Sequence, residues 1–565
     1  MIRFAARRRF PLATSLALLL CVACKSDSTG LGDNALAPGD AVTTTGGSEL
    51  RISGGASGAE FVLVVADTAT TGSASSTYQV AASGIATAGS VSAPATSLAS
   101  LSESPLQAAS LHGPTLDFSV AARLNERARS RLAPLFQTAR RPAASGLRRS
   151  LIPSSVQVGD IVSLNVSPSA CDAIDNHPAR IVAIGSKAVV AVDTLNPSGG
   201  FSTADYNRFA ANFDTLVYPL DVANFGAPTD IDQNGHIVLL FTRAVNELTL
   251  RNSEAYTGGF FFDRDLFPTT STTPGMACPG SNFGEMFYLL SPDPTGSING
   301  NVRTRGFVDS LITPLIGHEF QHLINGSRRV YVNDANDFEV VWLNEGLSHI
   351  AEELLFFRQS AGLVPRTNIT ISTLRSTANG INAFNEDQSS NAGRYEEYLT
   401  KPSTSSPIRD DDSLSTRGAT YNFLRYATDR KLRSGGAEPD VWLALVNAKT
   451  NGMDNLRAVY GSDIAGQLRD WSVSQYTDDV VVNESADYTQ PSWNWHNLFQ
   501  AFNGGTGRYP LPVTTLPTAG TSGSVIPGGA AFYRFAVPAN AVASLTLTGA
   551  GGAATPTQGV VVRLR

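Results

Sequence analysis

Two histidines four residues apart flank a glutamate in the run His318-Glu319-Phe320-Gln321-His322. On an α-helix, residues with this spacing differ by about 40° around the axis, so both imidazoles project from one face. Two neutral imidazoles placed side by side can share one zinc ion, and Glu319 beside them can take a proton from a zinc-bound water. The motif therefore predicts a zinc site that activates water for hydrolysis.

The sequence around the motif favours a helix with one buried side. Apolar residues recur there at helical spacing, at Leu311, Ile312, Leu315, Ile316, Phe320 and Leu323. We expect Asp309 or Ser310 to cap the start of this helix, with Pro314 in its first turn, and Asn325-Gly326 to end it. The alternative is a buried helix with two incidental histidines, which is disfavoured because buried paired imidazoles need partners.

A zinc site also needs a third protein ligand and an open position for water. A third histidine six residues after the motif, with a glycine halfway, would be one solution, but those positions hold Arg328 and Asn325. The other solution is a glutamate on a following helix, and Glu345 in the run 342–355 supplies one. The apolar spacing of that run predicts a helix with Asn344 as its N-cap, which puts Glu345 in the first turn.

The motif, together with Trp342-Leu343-Asn344-Glu345-Gly346, resembles the gluzincin peptidases. The longer runs 318–325 and 344–348 are similar to the hyicolysin-type neutral metalloproteases of family M30. The resemblance extends over roughly residues 155–510, although its specific motifs occupy only residues 318–355. It implies an α+β fold of the two-lobed zincin type, one zinc ion and peptide-bond hydrolysis. The site residues that it implies are His318, His322 and Glu345 as zinc ligands and Glu319 as general base.

One departure from this pattern lies four residues after the proposed ligand glutamate. Thermolysin-like gluzincins have an aspartate there that supports a zinc histidine, whereas this chain has His349. His349 could support Glu345, act as a catalytic electrophile or replace Glu345 as the third ligand, and a partly buried helix histidine is the alternative. Glu352, one turn further along the same face, is a candidate to orient a zinc imidazole, with a solvated helix glutamate as its alternative.

A second departure concerns the donor that stabilises the transition state. Aminopeptidase-type gluzincins have a tyrosine three residues before a glycine, and in the comparable segment of this chain Ser415 precedes Gly418. Tyr421 is our candidate for that catalytic role, with a packing tyrosine on an amphipathic helix as the alternative.

The first 24 residues have a basic start and a short apolar core, and together these predict an export signal. The core is too short to span a membrane as a helix. The segment resembles a bacterial lipoprotein signal with Cys24 as the lipidated residue, although Cys21 stands where such signals carry leucine, so ordinary secretion is the alternative. Since Lys25 is not the aspartate of inner-membrane retention, we expect an outer-membrane or cell-surface location with membrane attachment through Cys24.

After removal of such a signal, Cys171 and Cys278 are the remaining cysteines. In an oxidising compartment a Cys171–Cys278 disulfide is favoured over two free thiols. Both residues precede the metal helix, so we expect this bridge to be structural.

The chain has a net charge of −7 and no basic stripe interleaved with aromatic residues, so we expect no nucleic-acid partner. At 565 residues it is too long for one ordinary domain. After the signal, changes in composition predict a flexible linker, a small β-domain, an Arg-rich helix and linker, a zincin domain and a C-terminal β-module, at residues 25–46, 47–120, 121–154, 155–510 and 511–565. Within the Arg-rich part, a processing site at Arg148-Arg149 is a less favoured idea than a solvated linker.

Two apolar runs predict strands in the zincin domain. Residues 237–242 are expected to form a central buried strand. Residues 285–290 are expected to form the edge strand that pairs with extended substrate backbone, with an interior strand as the alternative.

Asp230, Asp232 and Asn234-Gly235 have the opening spacing of a calcium loop. The twelfth position would be Phe241, which cannot chelate a cation, so the loop is incomplete. An Asn-Gly turn into the following strand explains the same residues, and we favour this turn over a Ca²⁺ site.

These observations together predict a secreted or lipid-anchored zinc endopeptidase that acts on proteins or peptides. The alternatives are a surface-binding or adhesive protein with a structural or inactive zincin domain, and a zinc hydrolase of a non-peptide bond. The intact Glu319 argues against an inactive domain.

Overall fold

The computed structural model describes residues 33–88, 115–116, 119–140, 151–253, 255–505 and 507–565. Helices and sheets both contribute to it, which confirms the predicted α+β class. Within these ranges no helix is long and apolar enough to cross a membrane. The predicted signal with Cys24 and the Arg148-Arg149 pair lie outside the described residues.

The strands of the described residues fall into two end groups and a central group. In chain order they are β1 (Ala41–Thr45), β2 (Glu49–Ser53), β3 (Ala59–Asp67), β4 (Ser76–Ser83), β5 (Thr115–Leu116), β6 (Ile161–Asn165), β7 (Asn176–Ile184), β8 (Ala188–Asp193), β9 (Ile237–Phe241), β10 (Ala255–Tyr256), β11 (Gly259–Phe261), β12 (Met286–Leu289), β13 (Thr514–Thr515), β14 (Thr521–Val525), β15 (Ala530–Val537), β16 (Val542–Gly549) and β17 (Thr557–Arg563). In the central group, β6–β9, β11 and β12 form the sheet beside the histidine motif, and β5 pairs with β10.

Strands from both ends of the chain pair with one another, although the sequence predicted two separate β-rich segments there. One sheet has the order β1-β17-β3-β15-β13 and the other has the order β14-β4-β16-β2. Successive side chains of a strand point to opposite faces. Phe61, Leu63 and Val65 of β3 therefore pack between the two sheets, whereas Val62 and Val64 join the main core. The two ends are thus one packed unit, and β3 holds it against the rest of the protein.

The sheet beside the metal motif has the order β11-β12-β9-β8-β7-β6. β9 lies inside this sheet with every side chain buried, which confirms the strand predicted at 237–242. β12 pairs with β9 on one side and with β11 on the other, so the edge strand predicted at 285–290 is wrong. The physical reason is that every residue of β12 is buried, and a continuous apolar run belongs inside a sheet. The edge strand is β11, which runs antiparallel to β12.

Along the chain, most of the helices follow β12 and precede β13. They are α1 (Ser119–Leu132), α2 (Phe136–Arg140), α3 (Thr203–Asn212), α4 (Tyr218–Phe225), α5 (Arg243–Leu248), α6 (Arg305–Tyr331), α7 (Val341–Gln359), α8 (Ile371–Ser376), α9 (Gly380–Ala383), α10 (Ser389–Leu399), α11 (Leu414–Lys431), α12 (Glu438–Val446), α13 (Gly452–Tyr460), α14 (Ile464–Thr477) and α15 (Trp495–Gly505). α6, α7, α10 and α11 supply the residues of the candidate site.

α6, which carries the histidine motif, is longer at both ends than the sequence predicted. It begins after Thr304, whose side chain caps it, and not at Asp309 or Ser310. It also continues through Asn325-Gly326, where a helix stop was expected. A Cβ atom at Gly326 would lie 3.1 Å from Leu266, just after β11. This glycine therefore lets α6 pass close to the edge of the sheet instead of ending the helix.

α7 also begins earlier than expected, with Val340 as its N-cap. Asn344 is therefore not the cap but lies within the helix, and its Oδ1 accepts a hydrogen bond from Asn325 Nδ2 at 2.9 Å. Glu345 consequently lies in the second turn of α7 rather than in the first. The Asn325–Asn344 bond joins α6 and α7 directly beside the metal motif.

Cys171 and Cys278 form the disulfide that the sequence predicted. The bond joins the loop after β6 to the loop before β12, and both sulfurs belong to the main core. It therefore links two segments 107 residues apart in the chain, in agreement with a structural role.

Candidate metal centre

α6 and α7 bring His318, His322 and Glu345 together. The two Nε2 atoms of the histidines are 3.1 Å apart. Oε2 of Glu345 lies 3.3 Å from Nε2 of His318 and 3.6 Å from Nε2 of His322. Ligand atoms bound at about 2.0–2.1 Å to a tetrahedral zinc ion are separated by about 3.3 Å, so these three atoms have the spacing of one face of such a site. The three side chains therefore fit a zinc ion, which they would hold through these three atoms.

Glu352 contacts the imidazole of His318 on the Nδ1 side, in the position expected of the residue proposed to orient a zinc imidazole. Nδ1 of His318 lies 2.8 Å from Oε1 of Glu352. A proton on Nδ1 that is donated to this carboxylate leaves the lone pair of Nε2 free for a metal. Arg394 of α10 donates to the other oxygen of Glu352 at 3.1 Å. Although burial opposes the charged form, Arg394 then holds the pKa of Glu352 well below its usual range, which keeps the carboxylate charged.

The second imidazole is held by Ser348, which sequence reasoning missed. The Ser348 hydroxyl donates to Oε1 of Gln321 at 2.8 Å and lies 3.0 Å from Nδ1 of His322. The hydroxyl oxygen can accept a hydrogen bond from the Nδ1–H of His322, which again leaves Nε2 of His322 facing the metal position. The available signal was spacing, because Ser348 stands three residues after Glu345 and so shares its face of α7.

Arg417 of α11 is a further site residue that the sequence analysis missed. Its Nη1 donates to Oε2 of Glu345, and its Nε donates to Asp412 at 2.8 Å. α7 and α11 can approach this closely because residue 346 is glycine. A Cβ atom at that position would lie only 2.5 Å from Thr420. Burial opposes ionisation of Glu345, but Arg417 and the two imidazoles hold its pKa well below the usual range. Glu345 is therefore an anion poised to bind a cation.

Glu319 lies inside the site with its two oxygens in different surroundings. Oε2 accepts a hydrogen bond from the backbone N–H of Phe261 in β11 at 2.7 Å. Within the described part of the chain, no group donates to Oε1, although this atom is buried. Burial raises the pKa of the carboxyl, and the two neighbouring imidazoles oppose that shift. One oxygen is thus fixed by the edge strand and the other is free to accept a proton.

His349 packs behind His318 and contacts Glu352 rather than the Nε2 atoms of the triad. Its Nδ1 lies 3.2 Å from Oε1 of Glu352 and 3.4 Å from Nη1 of Arg394. Burial, with Arg394 nearby, lowers the pKa of His349 to about 3, so its ring is neutral. His318, His349 and Glu352 also form a second group with the spacing of metal ligands. Nδ1 of His318 contacts Glu352 of that group, whereas Nε2 of His318 lies beside Glu345.

Tyr421 does not face the metal centre, so its proposed catalytic role is wrong. Its hydroxyl donates to Oε1 of Glu353 at 2.8 Å and accepts from Gln388 Nε2 at 2.5 Å. Glu353 also accepts hydrogen bonds from Arg425 and Trp493, so the Tyr421 hydroxyl belongs to this buried network. Tyr421 is therefore a buried packing residue, the alternative that the sequence analysis kept open. Arg417 is the residue of α11 that reaches the site, one turn earlier.

The incomplete calcium loop forms the turn that the sequence favoured. Asp230 accepts from the Gly235 N–H at 3.1 Å, and Asp232 accepts from the Asn234 N–H at 3.2 Å, directly before β9. The φ angle of Gly235 is +77°, which glycine adopts without strain. Glu285 lies within 4.8 Å of both aspartates, and burial raises its pKa well above the usual range. A protonated Glu285 removes one negative charge from this cluster.

The ionisation of His318 predicts how zinc affinity changes with pH. Burial opposes the charged form of His318, but hydrogen bonds to Glu345 and Glu352 raise its pKa from 6.5 to about 9. Below that pH zinc must displace a proton, whereas Glu345 is already ionised. The apparent zinc affinity is therefore expected to rise roughly tenfold per pH unit until about pH 9 and then level off. Competition titrations against a chelator of known proton affinity measure this slope, and a flat profile would contradict it.

Comparison with known proteins adds one partial similarity. No protein-family model matches the chain. A curated relative described as "Neutral metalloprotease ShpI", from Staphylococcus hyicus, is 28% identical over 142 residues. The match covers 25% of this chain and 29% of the relative, so the chain spans less than a third of that protein's length. Together with the His318, His322 and Glu345 group, the similarity supports a metalloprotease with a metal cofactor.

Proposed function

We propose that this chain is a zinc-dependent endopeptidase of the gluzincin type, with His318, His322 and Glu345 as ligands and Glu319 as general base. The observation that carries the proposal is the separation of 3.1 to 3.6 Å between the three ligand atoms. The partial similarity to a neutral metalloprotease supports peptide bonds as the substrate. The resemblance to the hyicolysin-type family M30 belongs to this proposal.

The chain's own residues have separate tasks in this reaction. Zinc, when bound, supplies a Lewis acid that polarises the scissile carbonyl and lowers the pKa of water. Glu319 takes the proton of the attacking water and passes it to the leaving amine. The N–H of Phe261 holds one oxygen of Glu319, so the proton moves through the other oxygen. Glu352 and Ser348 keep the imidazoles oriented throughout.

β11 is the element best placed to bind the peptide. It is the edge of its sheet, and its Phe261 contacts Glu319 directly. An extended peptide that adds to such an edge gains backbone hydrogen bonds and has its carbonyl groups held in register. The general base would then lie beside the bond to be cleaved.

We also propose that the enzyme is exported, and that Cys24 anchors it to the outer membrane or cell surface. The sequence of residues 1–24 motivates this proposal, and the Cys171–Cys278 disulfide supports an oxidising compartment. Metabolic labelling with a palmitate analogue, with Cys24→Ala as the control variant, tests the anchor.

Removal of the metal tests the proposed activity. The chelator 1,10-phenanthroline is expected to abolish the hydrolysis of casein, and zinc added after dialysis is expected to restore it. Release of soluble peptides measures the activity, and elemental analysis measures zinc per chain. Protein that binds zinc but cleaves a phenyl ester and no protein would favour the hydrolase of a non-peptide bond. A chain that binds no zinc would refute the metal centre itself.

A further inference from the structure

A segment from the N-terminal half of the chain lies across the substrate edge of the proposed site. This docking segment comprises β5, α1 and the residues that follow as far as Arg140. β5 pairs in parallel with β10, two residues before the edge strand β11. Among the described side chains of α1, Leu124, Ala128 and Leu132 are buried, which is the stripe expected of a docked amphipathic helix.

Asn125 of α1 makes the contact that points to an occupied substrate edge. Its Nδ2 donates to the carbonyl of Phe261 at 3.1 Å, and its Oδ1 accepts from the N–H of Asp263 at 3.0 Å. A carboxamide presents the same C=O and N–H groups as a peptide unit, so these two bonds mimic those of an added strand. The N–H and C=O of one strand residue point to the same side. Since the Phe261 N–H contacts Glu319, Asn125 lies on the edge next to the general base.

Arg129, one turn after Asn125, closes the space between α1 and the metal centre. Its guanidinium donates to the carbonyl of Glu339, just before α7. It lines the remaining cavity together with His322 and Glu345. The cavity there has a volume of about 20 Å³, which is room for about one water molecule and is small for a peptide strand.

The end of the docking segment is fixed on the core beyond the site. Phe136 packs against Phe267 and Phe338, with ring centroids 5.6 and 4.8 Å apart. Arg140 donates to the carbonyl of Val330 at 2.6 Å and forms an ion pair with Asp334 at 2.7 Å. The segment is therefore held at both ends, by β5 at its start and by Arg140 at its end.

We propose that residues 115–116 and 119–140 are an intramolecular inhibitor that covers the substrate-binding edge, so that the full-length chain cleaves peptides more slowly than a form in which α1 is undocked. The inhibition of peptide cleavage rests on the proposed function, whereas the covering of the metal centre does not. Undocking of α1 frees the carbonyl of Phe261 and the N–H of Asp263 for a substrate strand. It also opens the cavity beside His322 to solvent.

Substitutions in α1 of the zinc-loaded, full-length protein test the proposal. Asn125→Ala, Arg129→Ala and the double variant each remove contacts between α1 and the site. The double variant loses three hydrogen bonds, which at ordinary net strength correspond to a change of at least about tenfold in the docking equilibrium. We therefore expect the double variant to lose zinc to 1,10-phenanthroline, and to cleave casein, on the order of tenfold faster than the natural chain.

Arg127→Ala is the matched control, because Arg127 lies on the same helix and is exposed. Zinc loss and casein cleavage that both equal those of this control would overturn the proposal. Faster zinc loss without cleavage by any form would uphold the covering segment and refute the peptidase function instead. Thermal melts check folding, and if Asn125→Ala is unfolded, Asn125→Asp removes the donor to Phe261 while keeping the side-chain size.

Discussion

Glu319→Gln is expected to keep the zinc ion and to lower kcat by about 10²–10⁴-fold, the usual contribution of a general base. The amide oxygen of glutamine can still accept the hydrogen bond of the Phe261 N–H, so the side chain keeps its place. What it loses is the ability to take a proton from water and return it to the leaving amine. The expected loss therefore falls on kcat, with a smaller effect on KM.

Elemental analysis and casein turnover, measured on the same preparation, check this prediction. Glu397→Gln is a matched control, because it makes the same change on the exposed surface of α10, where the carboxylate pairs with Lys401. Both substitutions are best made in the natural chain and again with Asn125→Ala and Arg129→Ala, so that the docking segment does not hide the effect. Full turnover with one zinc per chain would remove Glu319 from the mechanism.

Glu345→Ala is expected to release the zinc ion. Loss of an outer hydrogen-bond partner of a ligand already weakens a metal site by about 10–100-fold, so loss of the ligand itself is expected to cost more than about 100-fold. The same change leaves Arg417 buried with Asp412 as its remaining partner carboxylate in the described structure. Removal of one partner of a buried ion pair costs about 3–5 kcal/mol when the other charge is left unpaired. Since Asp412 still faces Arg417, we expect the free energy of unfolding to fall by at most about 3 kcal/mol. Zinc competition titrations and chemical unfolding measure these two effects separately.

His349→Ala is the variant that distinguishes the two candidates for the third ligand. Since His349 contacts Glu352 and Arg394, its loss is expected to leave zinc affinity within about tenfold. Glu345→Gln complements it, because glutamine preserves the volume beside Arg417 while removing the charge. Zinc that is lost with His349→Ala and retained with Glu345→Gln would show that the assignment of Glu345 is wrong.

Which residue of α11 reaches the site, Tyr421 or Arg417, could not be predicted from the sequence alone. Both residues lie on α11, four positions apart and hence on the same face. Periodicity predicts that face but does not say how far α11 is displaced along α7. Close packing sets this displacement. Thr420 packs directly against Gly346 of α7, and Gly418 packs against the backbone of Arg394 in α10. This packing points Tyr421 at Glu353 and Arg417 at Glu345.

Which strand forms the edge of the sheet could not be predicted from the sequence either. The apolar run 285–290 was recognisable as a strand, but its neighbours are set by pairing with residues far away in the chain. Asn125 reaches the resulting edge from about 136 residues earlier, and no local pattern marks that contact. The pairing of β1 and β3 with β17 spans most of the chain and was equally hidden.

The sequence by itself determined the parts of the site that depend on short-range geometry. Helical spacing put His318 and His322 on one face with Glu319 beside them. The same periodicity predicted that Glu345 and Glu352 lie on the next helix. Only the tertiary structure decided that Ser348 and Arg417 complete the centre, that β11 is its edge and that α1 covers it. Side-chain spacing within a helix is fixed by its 3.6-residue turn, whereas contacts between elements depend on packing and strand pairing that involve the whole chain.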